Sequence, residues 1–146
     1  MKRIIKFFVA FTMLTSFSVF AKPSIELYKS PSCGCCTGWA DIMVEKGYVV
    51  EVQATQDWQH VKQEFGMPGK LMSCHTAVID GYLIEGHVPE KDIARLLAER
   101  PADIAGIAAP GMPQHSPGMA RPGAEYKDFA VVAFDKEGNT SLYQQY

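Results

Sequence analysis

The run Cys33-Gly34-Cys35-Cys36 constrains this chain most, because it sits where an alternating pattern ends and a helical one begins. Upstream, Ser24-Ile25-Glu26-Leu27-Tyr28 alternates apolar and polar residues as a strand does, and Lys29-Ser30-Pro31-Ser32 stops it. Downstream, Thr37 to Lys46 reads as a helix, with Cys36, Trp39, Ala40 and Met43 spaced to share one face and Gly47 closing it. Cysteines at the start of a helix meet free backbone N–H groups and the positive end of the helix dipole, which favour thiolate over thiol.

The rest of the chain extends this alternation. Tyr48 to Ala54 reads as a second strand and Asp57 to Phe65 as a second helix, with Trp58, Val61 and Phe65 on its expected buried side. Thr76 to Ile79 and Tyr82 to Glu85 flank Asp80-Gly81, the dipeptide best suited to a two-residue type I′ turn, and so predict a hairpin. Pro89 suits the first turn of a third helix, running through Ile93, Leu96 and Leu97 until Pro101 ends it. The fold class is therefore α/β. A β-α-β-α-β-β-α order with cysteines after the first strand is the thioredoxin-like arrangement. Residues 101–123 shift to Pro, Gly, Ala and Met and read as an ordered loop without a regular element. Within residues 124–146, Phe129 to Phe134 and Thr140 to Tyr146 predict an added C-terminal β-hairpin on the same sheet, because two strands alone are marginal in water.

The N-terminus sets the expected compartment. Lys2, Arg3 and Lys6 precede an uncharged run from Phe7 to Phe20, and Val19-Phe20-Ala21 offers small residues for cleavage. Residues 1–21 thus read as a signal peptide and 22–146 as one domain. The alternative is a retained membrane anchor, for which the run is short of the roughly 18 to 20 apolar residues a span needs. Removing Lys2, Arg3 and Lys6 from the 14 basic side chains leaves 11 against 16 acidic ones, a formal charge of −5. That balance argues against nucleic acid as a partner.

Cysteine chemistry narrows the function. Export places the thiols where an idle pair tends to oxidise, while Cys35 in the middle of the C-x-x-C is superfluous for one disulfide and useful for a metal. Soft sulfur ligands select Cu(I) or zinc over calcium and magnesium. Cys74 lies just before the predicted hairpin, and a thioredoxin-like fold would bring it, with His75, against Cys33, Cys35 and Cys36. The alternative is a pair of disulfides, for which four cysteines allow three connectivities. His87, at the end of a predicted strand, is a further candidate ligand, whereas His60 on an exposed helix face carries no functional weight. Met112, His115 and Met119 lie in a polar loop, where thioethers and an imidazole suit copper or simply anchor the loop. Met67 and Met72 flank Cys74 and are expected to pack, as are Trp39 and Trp58.

Together, Cys33-Gly34-Cys35-Cys36, Ser73-Cys74-His75-Thr76-Ala77, Glu85-Gly86-His87-Val88-Pro89 and Pro110-Gly111-Met112-Pro113 resemble the CopG copper-resistance family of small periplasmic proteins. The likeness runs from the first strand through Met119. It implies a thioredoxin-like fold, copper bound through Cys33, Cys35, Cys36 and Cys74, and a role in copper tolerance with a redox step on copper. His75, His87, Met112 and Met119 are matched motif residues and further ligand candidates, while His115 stands outside the family pattern. The implied partners are copper ions and other periplasmic copper-handling proteins. Two departures from ordinary thioredoxins, Cys35 in a spacer position and His75-Thr76 where those enzymes carry a cis-proline, count against a general disulfide oxidoreductase. That enzyme, with Cys33 as nucleophile and Cys36 as resolving thiol, is the rival reading.

Overall fold

A computed structural model describes residues 22–146, so the expected signal peptide over residues 1–21 lies outside the described residues. Seven strands form one mixed sheet in the order β2-β1-β3-β4-β5-β6-β7. They are β1 (Ser24–Lys29), β2 (Val49–Ala54), β3 (His75–Ile79), β4 (Tyr82–Gly86), β5 (Gly106–Ala109), β6 (Ala130–Phe134) and β7 (Thr140–Gln145). The helices are α1 (Gly34–Glu45), α2 (Trp58–Glu64) and α3 (Glu90–Glu99), with a 3-10 turn at Gly69–Leu71.

Alternation explains β1, where Ile25, Leu27 and the unexpected Lys29 face inward. It pairs in parallel with β2 and antiparallel with β3. The β3–β4 hairpin turns through Asp80 and Gly81, both at positive φ (50° and 86°), as a type I′ turn requires. Helix α1 begins three residues earlier than the periodicity predicts, so its first turn contains Gly34, Cys35 and Cys36 with Cys33 at the N-cap. Its buried face is Cys36, Trp39, Ala40 and Met43, as expected. Of these, Trp39, Ala40 and Met43 join Ile25, Leu27, Ala77, Ile79, Ile84, Val88, Ile93, Leu96, Ile107 and Val131 in the main core.

Two expectations are corrected. The 101–123 segment is not wholly irregular, since Gly106–Ala109 forms β5 between β4 and β6. All four of its residues are buried, so the strand shows no alternation to betray it. Gly106 is obligatory here, because a Cβ would lie 2.0 Å from the Leu83 carbonyl oxygen. Strand β5 is also what joins the C-terminal hairpin to the sheet.

The second correction concerns α2. Its fully buried side chain is Lys62, while Trp58 and Val61 are only half-buried and Phe65 is exposed. A hydrophobic pattern cannot anticipate an inward lysine, whose ammonium requires polar partners supplied by other elements. Trp58 instead lies over the Lys62 ammonium at 5.0 Å, and Phe65 meets Tyr28 edge-on at 5.5 Å. No helix among the described residues is long and apolar enough to cross a membrane.

Candidate metal centre

The β1–α1 junction carries three of the cysteines. The chain turns at Ser30, whose carbonyl accepts the Cys33 N–H at 3.1 Å, and enters α1 with no side-chain cap. Cys33 and Cys36 are joined by a disulfide, leaving Cys35 and Cys74 as free thiols. Cys35 Sγ lies 3.5 Å from Cys33 Sγ. Cys74 arrives from the start of β3, and Cys36 Sγ lies 3.8 Å from its carbonyl oxygen. The four sulfurs of Cys33, Cys35, Cys36 and Cys74 are all within 4.8 Å of one another.

A second donor group overlaps the first at Cys74. Cys74 Sγ, His75 and His87 again lie within 4.8 Å of one another. His75 Nδ1 is 3.5 Å and His87 Nε2 2.8 Å from Cys74 Sγ. The Pro117 carbonyl oxygen sits 2.7 Å from His87 Nδ1. A carbonyl only accepts, so Nδ1 carries the proton and the Nε2 lone pair faces Cys74. Fixing one imidazole nitrogen this way is how proteins aim the other at a metal. The Trp39 indole N–H holds the following residue by donating to the Val88 carbonyl at 2.9 Å.

His75 is fully buried between Trp39 and His87, with ring centroids 4.7 Å and 5.0 Å away. Its Nε2 has no hydrogen-bond partner. A buried imidazole left incompletely satisfied is costly, and ligand sites are where such costs are found. Burial first, and then the electrostatic influence of His87 and Lys62, holds its pKa well below the ordinary histidine value. Burial lowers His87 too, against a smaller opposing effect of the Pro117 carbonyl. Both rings are therefore neutral, the form that binds metal. Burial first, and then Cys35, pushes the Cys74 thiol up to about 11. Without a metal, Cys74 keeps its proton at neutral pH.

The donor set suits a soft ion. Four sulfurs and two imidazoles offer no hard oxygen ligand, which fits copper or zinc and not calcium or magnesium. Cys33 and Cys36 can join it only after their disulfide is reduced, since a disulfide sulfur is not a thiolate.

The methionine loop is placed differently. Met112 is 59 % exposed. Met119 is half-buried and shares a surface cavity with His115. His115 Nδ1 pairs with the Asp128 carboxylate at 3.1 Å. The loop backbone is nonetheless fastened to the site. Gly111 bridges to Ser73, and Gly118 packs so tightly that a Cβ would lie 2.6 Å from the Cys35 carbonyl oxygen.

Beneath Cys74 lies a polar network with no sequence motif to announce it. Lys62 Nζ donates to Glu85 Oε1 at 2.5 Å and to Thr76 Oγ1 at 2.9 Å. Thr76 Oγ1 donates to Glu85 Oε2 at 2.5 Å, and the Ser73 N–H donates to Glu85 Oε1 at 2.5 Å. Burial lowers the Lys62 pKa, against the opposing pull of the Glu85 carboxylate. Only the position of Glu85 two residues before His87 hinted at a role.

A family model described as a protein of unknown function, DUF411, matches residues 71–119, which include Cys74, His75, His87, Met112 and Met119. No curated protein matches. Two solved structures, titled copper resistance protein CopG in form 1 and form 2, are each 38 % identical with a TM-score of 0.78. Each alignment covers 86 % of this chain and 98 % of the other. With that identity over nearly the full length of those proteins, the chain belongs to the CopG copper-resistance family.

Proposed function

We propose that this protein is a periplasmic copper-binding protein of copper resistance, holding Cu(I) through Cys33, Cys35, Cys36 and Cys74. The observation that carries the reading is the sharing of Cys74 between the four-sulfur group and the Cys74–His75–His87 group. Sulfurs that outnumber the needs of one ion, with imidazoles beside them, favour a multinuclear site of bridged Cu(I) ions. His75 and His87 complete the ligand set, and Met112 and Met119 are further thioether candidates on the loop fastened to it. The first four strands and three helices constitute a thioredoxin-like core. Its support is the order β2-β1-β3-β4, the parallel β1–β2 pair and the cysteines at the β1–α1 junction. The signal peptide over residues 1–21 would deliver the mature chain from Lys22, and copper ions and other periplasmic copper-handling proteins would be its partners.

The disulfide supports a redox capacity beside storage. Opening it consumes two electrons and two protons and yields two thiols, and oxidation of two Cu(I) to Cu(II) supplies that number of electrons. The same disulfide favours a second reading, a thiol-disulfide oxidoreductase using Cys33 and Cys36.

One experiment separates the two. The protein is reduced, Cu(I) is added without oxygen, and retained copper per chain is counted in the wild type and in each Cys→Ser variant. Retention by the wild type, diminished by Cys35→Ser and by Cys74→Ser, is expected. No retained copper ends the copper reading. A dithiol enzyme instead keeps disulfide-exchange activity in Cys35→Ser and Cys74→Ser.

A further inference from the structure

We propose that Lys62 and Glu85 are positioning residues for the Cys74–His87 face of the site, a role that rests on the copper-binding reading above. Both are fully buried, and their ion pair lies inside the sheet–helix interface without touching solvent. A buried ion pair is a poor device for stability alone, because apolar residues of the same volume hold a fold as well or better. What the pair supplies here is an acceptor at a chosen point.

That point is the backbone of Ser73. Glu85 Oε1 takes the Ser73 N–H, Lys62 and Thr76 hold the carboxylate in place, and Cys74 follows directly in the chain. Ser73 Oγ in turn donates to the Gly111 carbonyl, tying the methionine loop to the same anchor. Gly86 leaves the room this requires. A Cβ at position 86 would lie 2.5 Å from Ser73 Oγ and 2.7 Å from the Ala109 carbonyl oxygen. Its φ of 71° also belongs to the glycine region. The carboxylate on β4 thus sets the Cys74 backbone from below, while two residues later the same strand end delivers His87. Lys62 reaches this point from α2, so a helix that contributes no ligand holds the ligand loop in register.

The test compares two double variants that both abolish the buried charges. Lys62→Met/Glu85→Gln retains an amide oxygen that can accept the Ser73 N–H; Lys62→Met/Glu85→Leu retains none. Cu(I) affinity is measured by competition with a chromophoric chelator on reduced protein, alongside thermal melting. The Gln variant is expected near the wild-type affinity and the Leu variant about 10- to 100-fold weaker, as for lost supports of metal ligands elsewhere. Equal affinities in the two variants overturn the proposal, because a role confined to stability would move the melting curve and not this difference. Should the Leu variant fail to fold, hydrogen exchange at the Ser73 amide of the wild type decides: slow exchange supports the anchor, and exchange at the rate of a free amide overturns it. A wild type that retains no copper ends the functional reading, and the exchange of that amide still reports on the anchor.

Discussion

His87 directs Nε2 at Cys74 Sγ from 2.8 Å while its other ring nitrogen is held by the Pro117 carbonyl, so one imidazole joins the end of β4, the start of β3 and the methionine loop. If this ring is a ligand, His87→Leu, which keeps a similar apolar volume, weakens Cu(I) binding by at least about tenfold. Chelator competition on reduced protein checks this. An unchanged affinity would remove His87 from the ligand set.

The raised Cys74 pKa makes copper uptake depend on pH. At pH 7 the thiol, pushed up to about 11, still holds its proton, which the metal must displace. His75 and His87 are lowered and already neutral, so they release none there. Affinity therefore rises with pH, and between pH 7 and 9 the slope of log affinity against pH in the wild type should exceed that of Cys74→Ser by about one. Equal slopes would show that Cys74 does not lose its proton to the metal.

Gly118 has φ of 80° and faces the backbone of α1, where a Cβ would approach the Trp39 nitrogen to 2.7 Å. Gly118→Ala should therefore cost about 1–3 kcal/mol of stability through strain. It should also displace the Pro117 carbonyl from His87 and weaken Cu(I) binding. Urea unfolding and copper titration of the same variant test both outcomes.

At the far end of the sheet, the Tyr146 hydroxyl donates to Asp92 Oδ2 at 2.7 Å, and its ring stacks on Phe129 at 4.7 Å. Burial raises the Asp92 pKa, with Tyr146 opposing the rise. A carboxyl raised on folding favours the native state while protonated, and that contribution is lost as pH climbs through the folded pKa. Tyr146→Phe removes the hydrogen bond that moderates this loss. The variant should lose about 1–3 kcal/mol at pH 7 and less in acid, as read by urea unfolding at both pH values. An equal loss at both would show that the hydroxyl does not act through the ionised carboxylate.

Local chemistry made much of this protein legible in advance. Alternation marked β1, the Asp80-Gly81 pair marked the β3–β4 hairpin, and helical spacing picked out Cys36, Trp39, Ala40 and Met43 as the inward face of α1. Each signal rests on neighbours a few residues apart, the range over which backbone conformation is chosen. The cysteines and histidines were legible as donors because their chemistry resides in the side chains themselves. Strand β5 was hidden because burial on both faces removes alternation, and Lys62 was hidden because a buried ammonium is tolerable only when Glu85 and Thr76 arrive from elsewhere.

By itself, then, the sequence determined the order of the first four strands and three helices, the turn chemistry and the kinds of donor atom. Tertiary structure alone decided that Cys74 would serve two donor groups, that Pro117 would select the His87 tautomer, and that Glu85 would hold Ser73. Those relations join residues 12 to 41 positions apart, from Ser73–Glu85 to Cys33–Cys74, and they exist only once the sheet has brought the strand ends together.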